Sequence, residues 1–254
     1  VMLYVSLELA TLPLFVLAAW RRDARGGEAG LKYVVVGALA SALLLYGLSI
    51  LYGLAGSTGF SAIAAALKPS PAMWLAAVLI TAGIGFKMTV APFHMWAPDV
   101  YQGAPTPITA FLSVGSKAVG IALAFQVFFR LFGGFVHEWN MFIAVFAAVT
   151  MTVGNTVAIM QTNMKRLMAF SAISQAGYIL MGLLGPGPES VPSVLFYILV
   201  YVVTNMGVFS VIMAHSNATG SEEVGDYRGR SRTNPLLALA MMLSLFGLAG
   251  IPPL

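Results

Sequence analysis

The chain has 254 residues, of which 59% are hydrophobic and only 9% are charged. A soluble domain carries roughly 25% charged residues, so this composition excludes an ordinary water-soluble domain. The absence of cysteine excludes disulfides, iron–sulfur clusters and cysteine zinc sites within these residues. The net charge of +4 is small and lies mostly between the apolar runs, unlike the concentrated basic face of a nucleic-acid-binding protein.

The apolar runs are about 20 residues long, which is the length that an α-helix needs to cross a bilayer. Their backbone polar groups must be satisfied internally, and we find none of the short alternating segments of a barrel. The sequence therefore predicts an all-α, polytopic membrane protein with a single transmembrane domain over residues 1–254. Hydropathy and proline or glycine punctuation predict about eight spans. They cover 1–20, 31–53, 72–102, 106–132, 139–160, 166–185, 192–215 and a last span that begins near Pro235.

The predicted third span, 72–102, is too long for one plain helix. Pro92 and Pro98 lie within it, and proline removes a backbone donor and clashes with the preceding turn, so we expect a broken helix there. The sixth span is expected to end in the sequence 185–188 (GPGP), and residues 216–234 form a polar loop. Both ends of the chain lie in apolar runs, and we expect it to be an internal piece of a longer protein, truncated at both ends.

Basic residues are distributed unevenly over the predicted loops. Most follow spans one, three, five and seven, namely Arg21, Arg22, Arg25, Lys165, Arg166, Arg228, Arg230 and Arg232. The other loops hold only Lys68 and Arg130. Because cytoplasmic loops carry the excess of lysine and arginine, the first set is predicted to be cytoplasmic. The first span then enters from the outside.

Three charged residues, Glu8, Lys87 and Lys117, lie well inside apolar runs. A charge at the centre of a bilayer costs several kcal/mol unless it is paired or hydrated, so its default interpretation is functional. The alternatives are an interfacial position for Glu8 and salt bridges that serve only packing for the lysines. Lys32 lies close to a helix start, where its side chain can also reach the interface and be purely structural.

Lys87 precedes Pro92 by little more than one turn, and broken helices are a common way for transporters to build ion sites. A nearby Glu8 would favour the protonated form of Lys87. Moving Glu8 would then load a proton onto Lys87 or release it. Lys117 follows Gly115 and Ser116, small residues that allow another helix to approach closely.

The remaining ionisable residues carry weaker signals. His94 can relay protons or hydrogen-bond to loop carbonyls, and the sequence leaves both open. His137 and His215 lie at span ends and are predicted to be interfacial, while Asp99 and Glu138 are predicted to be solvated or to cap loops. The spacing of the histidines does not suggest a metal site. No phosphate-binding glycine loop or catalytic triad is seen, so no cofactor is expected in this chain.

Several motifs resemble one known family. The segment 86–107 (FKMTVAPFHMWAPDVYQGAPTP) is long and unusual, and it closely resembles the antiporter-like membrane subunits of respiratory complex I. The segment 116–118 (SKA) follows at the spacing of that family. The segments 163–171 (NMKRLMAFS) with 174–178 (SQAGY), and 248–253 (LAGIPP), resemble two further motifs of the same subunits. The resemblance covers essentially the whole chain.

This resemblance implies a fold with inverted repeats and broken helices, of which the chain matches helices five to twelve. It implies that Glu8, Lys87 and Lys117 lie on a proton pathway and that Lys32 is linked to it. Gln175 stands where some relatives carry histidine, and because it cannot titrate, a proton path there would need water. The ionisable group that the family carries in helix twelve lies beyond the residues given.

As a member of this family the chain would translocate protons in a quinone-reducing NADH complex of the bacterial inner membrane. It would contact the other membrane subunits, with NADH, FMN, iron–sulfur clusters and quinone bound by partners. Two alternatives are a subunit of a multisubunit sodium/proton antiporter and a ferredoxin-driven relative of complex I. A purely structural membrane anchor would leave the buried charges unexplained.

Overall fold

The computed structural model describes residues 1–184, 187 and 189–251, and this part of the chain is almost entirely helical. No strand occurs in it beyond one isolated bridge between Asn163 and Glu223. The α-helices are α1 (Met2–Ala18), α2 (Ala24–Ala55), α3 (Phe60–Ala66), α4 (Pro71–Met88), α5 (Ala97–Gly103), α6 (Thr106–Phe111), α7 (Lys117–Phe125), α8 (Val136–Ala158), α9 (Met164–Met181), α10 (Ser190–Thr219), α11 (Arg230–Thr233) and α12 (Pro235–Leu248).

One predicted span is continuous but not uniformly α-helical. A π-helical turn, Leu112–Ser116, joins α6 to α7, and a second, Gln126–Leu131, follows α7. Together they make an apolar helix over Thr106–Leu131, close to the predicted 106–132. A short 3-10 turn, Gly133–Phe135, then leads into α8. Since π turns displace carbonyls from the regular hydrogen-bond pattern, they free backbone groups for other partners.

Five helices of the described residues are long and apolar enough to cross a membrane, which confirms a polytopic helical membrane protein. They are α2, α4, Thr106–Leu131, Gly133–Ala158 and α10. The apolar helices α1 and α12 are shorter. The α9 helix has 18 residues, but charged and polar residues such as Lys165, Arg166 and Gln175 lower its hydrophobicity. Five of the eight predicted spans therefore correspond to long apolar helices. The other three correspond to α1, α9 and α12, which are shorter or more polar.

The α2 helix begins at Ala24, earlier than the predicted 31, because Asp23 caps it. The Asp23 Oδ1 atom accepts a hydrogen bond of 2.7 Å from the Gly26 N–H. That bond, with Arg21 beside it, holds the pKa of the Asp23 carboxyl below its ordinary value. The helix ends at Ala55, and the following Gly56 adopts a positive φ of 63° that suits glycine. The short α3 helix after it was not predicted.

The third predicted span is broken, as expected, and the break lies between the end of α4 and the start of α5. The α4 helix ends at Met88, because Thr89 adopts a left-handed conformation with φ of 60°. The chain then forms turns until α5 begins at Ala97. Pro98 lies in the first turn of α5, where proline has no helical donor to lose, so the prediction that Pro98 interrupts the span is wrong.

Small residues let α8 and α9 pack closely against each other. A Cβ atom built on Gly154 of α8 would lie 2.5 Å from the Ser174 backbone nitrogen of α9. A Cβ atom on Gly177 would lie 2.6 Å from Met151 Cγ. Helices in membranes commonly associate through such small residues, since close approach increases van der Waals contact.

Backbone hydrogen bonds join the polar loop after α10 to the start of α9. The Met164 N–H donates to the Glu222 carbonyl at 2.8 Å, and the Val224 N–H donates to the Thr162 carbonyl at 2.7 Å. The Asn163 side chain caps α9 by accepting from the backbone N–H groups of Lys165 and Arg166.

Two predicted boundaries fall at or near residues that the structure does not describe. The α9 helix ends at Met181, before the predicted 185, and Gly185, Pro186 and Pro188 lie outside the described residues. Pro252 and Pro253 of the third family motif also lie outside them. The α12 helix begins at Pro235, as predicted, with Asn234 capping it through a bond from the Leu237 N–H.

Candidate functional site

Glu8 and Lys87 lie at the same helix interface but form no direct ion pair. Glu8 is half-buried on α1, and its Oε1 atom accepts a hydrogen bond of 2.6 Å from Ser41 Oγ on α2. Lys87, 7% exposed in the last turn of α4, donates from Nζ to Thr11 Oγ1, which lies about one turn beyond Glu8 on α1. Thr11 donates in turn to the Leu7 carbonyl at 2.6 Å. The carboxylate and the ammonium interact electrostatically, although each is hydrogen-bonded to a different hydroxyl.

Hydroxyl groups extend this polar interface in both directions. Ser41 Oγ also lies 2.9 Å from the Tyr4 hydroxyl, so the set around Glu8 spans α1 and α2. On the other side, Ser116 Oγ donates to the Lys87 carbonyl at 3.4 Å and connects α4 to the π turn before α7. That carbonyl lacks an ordinary helical partner because α4 stops one residue later. These hydroxyls bond to the Glu8 carboxylate and to the Lys87 backbone, and no hydrogen bond of the described residues joins the two groups of hydroxyls.

Lys117 occupies a second buried position, separate from the first. It is 2% exposed, and its Nζ donates to the Ala172 carbonyl of α9. Nζ also lies 5.5 Å from the centroid of the Tyr201 ring on α10, a cation–π distance. No carboxylate of the described residues forms an ion pair with Lys117. Lys117 is therefore held by neutral groups, whereas Lys87 has a carboxylate nearby.

Lys32 lies in an ion-pair cluster, outside the direct contacts of Glu8, Lys87 and Lys117. Its Nζ atom is 2.7 Å from Glu28 Oε1 and 2.5 Å from Asp99 Oδ2. The other Asp99 oxygen accepts from Arg166 Nη1 at 2.5 Å. Asp99, predicted to be solvated or to cap a loop, is 31% exposed in the first turn of α5, and two cations on α2 and α9 bind it as well.

The histidines occupy three different environments. His94 lies between α4 and α5, where its backbone carbonyl accepts from the Ala97 N–H at 2.9 Å and its Nδ1 atom has no partner among the described residues. His137 is exposed, in keeping with an interfacial position. His215, predicted to be interfacial, lies near the end of α10, where it is 1% exposed and stacks on Tyr227 with ring centroids 4.0 Å apart. Its burial arises because α10 runs on to Thr219 and the following loop places Tyr227 over this end.

Sequence reasoning missed several buried polar residues. Lys165 is fully buried, 2.9 Å from Glu222 Oε1, and it also donates to the Ala104 carbonyl at 2.9 Å. The sequence places it in a cytoplasmic loop because it lies between the predicted spans 139–160 and 166–185. Asn205 was missed too, although an asparagine in an otherwise apolar run is itself a signal, since polar groups within membranes are rare and costly.

The described residues contain no group of three or more histidine, cysteine, aspartate or glutamate residues that could hold a metal ion. Gln175, which stands where some relatives carry histidine, accepts a hydrogen bond from the Tyr197 hydroxyl and donates one of 2.8 Å to the Leu248 carbonyl. Its amide is thus engaged at both ends and connects α9, α10 and α12.

Comparisons with known proteins agree with the predicted fold. The profile of the family described as NADH:quinone oxidoreductase/Mrp antiporter, TM matches residues 1–254. Respiratory complex I from Thermus thermophilus with bound aureothin contains a chain that superposes with a TM-score of 0.83 at 37% identity, covering 98% of this chain and 54% of that chain. The Mrp complex from Dietzia sp. contains one with a TM-score of 0.90 at 28% identity, covering 98% and 47%. The antiporter-like fold is therefore confirmed.

Sequence relatives indicate a position within the family. Within the family, the segments 7–9 (LEL) and 31–33 (LKY), with 37–41 (GALAS), resemble the N subunit of bacterial NADH–quinone oxidoreductase, the counterpart of mitochondrial subunit 2. A relative from Heliobacterium modesticaldum, named NADH-quinone oxidoreductase subunit N, is 51% identical over all of this chain and 54% of its own length. The chain thus spans about half the length of the curated relatives that it matches. It belongs to the family of transmembrane subunits that NADH:quinone oxidoreductases and Mrp antiporters share.

Proposed function

We propose that this chain carries protons across the membrane as part of the N subunit of a quinone-reducing complex I. The observation that carries the proposal is the pair of buried lysines, Lys87 at the broken helix and Lys117 on the neighbouring one. A buried charge within a membrane bundle is costly and indicates function unless packing alone explains it. The complex as a whole would be a redox-driven translocase, while this chain moves protons.

In this mechanism Lys87 and Lys117 hold and pass the proton, and Glu8 controls its loading. Glu8 acts on Lys87 through space, with Thr11 as the hydroxyl that both binds the ammonium and can relay its proton. A change in the position of Glu8 would alter how firmly Lys87 holds its proton. Lys32 and His94 belong to the proposed pathway as accessory groups. Electron carriers, quinone and the other membrane subunits would be partners of the complex.

Orientation and location follow from the same proposal. Three basic regions would face the cytoplasm: the loop after α1, the start of α9 and the loop 216–234. The α1 helix would then enter a bacterial inner membrane from the outside.

The proposal is tested by proton pumping of the whole complex in sealed vesicles, with electron transfer followed in parallel. Lys87→Met and Glu8→Ala are compared with wild type and with Lys68→Met, which removes an exposed lysine after α3. We expect the first two to abolish pumping and lower coupled electron transfer in an assembled complex, and Lys68→Met to behave as wild type. Normal pumping by Lys87→Met would make this subunit a scaffold and would refute the pathway.

A second candidate is a subunit of a multisubunit sodium/proton antiporter, favoured by the close superposition on a chain of the Mrp complex. The same lysines would serve it, but no redox subunits would accompany it. Purification of the assembled complex decides between the two. Flavin and iron–sulfur subunits in the preparation support the first function, whereas sodium-dependent proton exchange without them supports the second.

A further inference from the structure

A cavity between α10 and α12 has no role in the mechanism above. It has a volume of about 380 Å³ and lies where α10, the loop 216–234 and α12 meet. Gly229, Arg230 and Ser231 of the loop line one end, and apolar side chains of α10 and α12 line most of the rest. A cavity with this division suits an amphiphilic ligand, which has one polar and one apolar end.

The apolar part of the cavity follows α12 from the start of that helix into the bundle. Its lining runs from Leu237 to Phe246, nine residue steps that cover about 14 Å of helix. This length is about half of the hydrocarbon core, which is roughly 30 Å thick, and so matches one leaflet of the bilayer. Val211 of α10 and Met241 are buried, whereas Met242 and Phe246 are more than 40% exposed. The cavity is therefore an open groove of the depth that an acyl chain occupies.

The polar end of the cavity holds an arginine without a carboxylate partner. Arg230 is half-buried in the cavity lining, and it forms no ion pair with any acidic residue that the structure describes. Arg228 and Arg232 flank it, and both are exposed and equally unpaired within the described part of the chain. Positive charge is thus concentrated at the end of the loop that leads into α12.

The acidic residues of the same loop do not neutralise this end. Glu222 pairs with the buried Lys165 at 2.9 Å, and Asp226 accepts a hydrogen bond from Ser221. Glu223 is exposed, and none of the three carboxylates lines the cavity. The charge of the cavity is therefore complementary to an anionic group.

Tyr227 forms a further part of the lining. Its ring is stacked on the buried His215, with centroids 4.0 Å apart, which fixes this wall of the cavity against α10. The Tyr227 hydroxyl has no hydrogen-bond partner among residues 1–184, 187 and 189–251. Burial raises the pKa of this hydroxyl to about 12, so it keeps its hydrogen at neutral pH and stays a donor.

We propose that this cavity binds one anionic phospholipid, whose phosphate pairs with Arg230 and whose acyl chain lies in the groove along α12. The polar end lies on the predicted cytoplasmic side, where basic residues next to a membrane helix attract anionic lipids. The inference concerns binding alone and does not rest on the proposed proton pathway.

A helix of another membrane subunit fits this cavity less well. Helices in membranes associate closely through small residues, whereas the bulky Met241, Met242 and Phe246 line the groove. Unbranched methionine side chains adapt to an irregular surface such as an acyl chain. A covering helix would also bury Arg230, which is costly unless that helix supplies a carboxylate. Shape and charge therefore both favour a lipid.

The test uses the assembled complex in phosphatidylcholine vesicles that contain a trace of phosphatidylglycerol with a photoactivatable group at the end of one acyl chain. Labelled peptides are quantified by mass spectrometry, and the same probe with a phosphatidylcholine headgroup is the lipid control. We expect α12 to be labelled mainly by the phosphatidylglycerol probe. Arg230→Gln should lower this labelling about fivefold, since one arginine at a membrane surface contributes about 1 kcal/mol to binding an anionic lipid. Arg130→Gln removes an exposed arginine outside the cavity and should leave the labelling unchanged.

A second variant tests the groove without changing its charge. Ala238 lines the cavity, and Ala238→Phe places a ring in the volume assigned to the acyl chain. We expect it to lower the labelling as Arg230→Gln does, and it decides alone if Arg230→Gln does not assemble. Equal labelling by the two headgroups, or wild-type labelling in Arg230→Gln or Ala238→Phe, would overturn the inference.

A cross-linking experiment tests the competing occupant. The chain contains no cysteine, so Met242→Cys introduces a single thiol at the exposed edge of the groove. A short thiol-reactive cross-linker in the assembled complex should yield no product with a neighbouring subunit if a lipid fills the groove. Efficient cross-linking to such a subunit would assign the cavity to a protein contact and overturn the lipid site.

Discussion

The Lys87 ammonium binds the Thr11 hydroxyl rather than the Glu8 carboxylate. Glu8 is instead bonded to Ser41 on α2, so the two charges predicted as a pair are each bonded to a different neutral hydroxyl. The arrangement allows Glu8 to influence Lys87 without locking it in a salt bridge. A buried, directly bonded ion pair would be difficult to separate, because each charge would lose its partner in a medium of low dielectric constant.

Thr11→Val should therefore impair the protein although it leaves both charges in place. A hydrogen bond to a charged group contributes about 1.5–3 kcal/mol, and the methyl group of valine cannot replace it. We expect slower pumping and a lower temperature of half-inactivation for the complex. Thr11→Ser retains the hydroxyl and should restore pumping. Equal pumping in Thr11→Val and wild type would show that the Lys87 ammonium does not depend on this acceptor.

Lys32 can be tested by a substitution that keeps its ion pairs. Lys32→Arg should still bind Asp99, so that the complex assembles, but arginine does not release its proton at accessible pH. If Lys32 belongs to the pathway, pumping falls in Lys32→Arg. Asp99→Asn is the comparison, because it removes the partner of Lys32 and Arg166 at a cost of about 0.2–1 kcal/mol for each partly exposed pair. Wild-type pumping in Lys32→Arg would leave Lys32 a purely structural role.

Removing the partner of Lys165 should loosen the loop that follows α10. Glu222→Ala leaves a fully buried ammonium with the Ala104 carbonyl alone, and breaking a buried pair costs up to about 3–5 kcal/mol. Because Glu222 is partly exposed, we expect the lower end of that range. The measurement is amide hydrogen exchange at Val224, whose N–H bonds to the Thr162 carbonyl. Exchange should be faster in Glu222→Ala, while Glu223→Ala, at an exposed site, should leave it unchanged.

Gly154→Ala should destabilise the contact between α8 and α9. Its methyl group would meet the Ser174 backbone at 2.5 Å, and backbone cannot move aside as a side chain does. Overpacking of this kind costs about 1–3 kcal/mol, which would lower the temperature of half-inactivation. Gly53→Ala in α2 is the control, since nothing lies within 4 Å of its Cβ position, and alanine there should be neutral or slightly stabilising. Equal temperatures for both variants would contradict the close helix contact.

The sequence by itself determined the class of the protein and the location of two of its buried charges, Lys87 and Lys117. Apolar runs of membrane-spanning length predicted the helices, and Pro92 predicted the break near Lys87. These features are local, because hydrophobic length and proline geometry act within one segment. Lys87 and Lys117 were identifiable for the same reason, since a charge inside an apolar run is conspicuous without knowledge of its neighbours.

Only the tertiary structure decided what these residues touch. Thr11 as the partner of Lys87, the two cations that hold Asp99, and the burial of Lys165 and His215 all depend on contacts between helices far apart in sequence. The same holds for Asn205, which donates from Nδ2 to Ser113 Oγ and whose Oδ1 atom has no hydrogen-bond partner among the described residues. A membrane helix can rotate about its axis and slide along its neighbours, so its sequence alone does not set which polar groups meet. Packing of the whole bundle sets them.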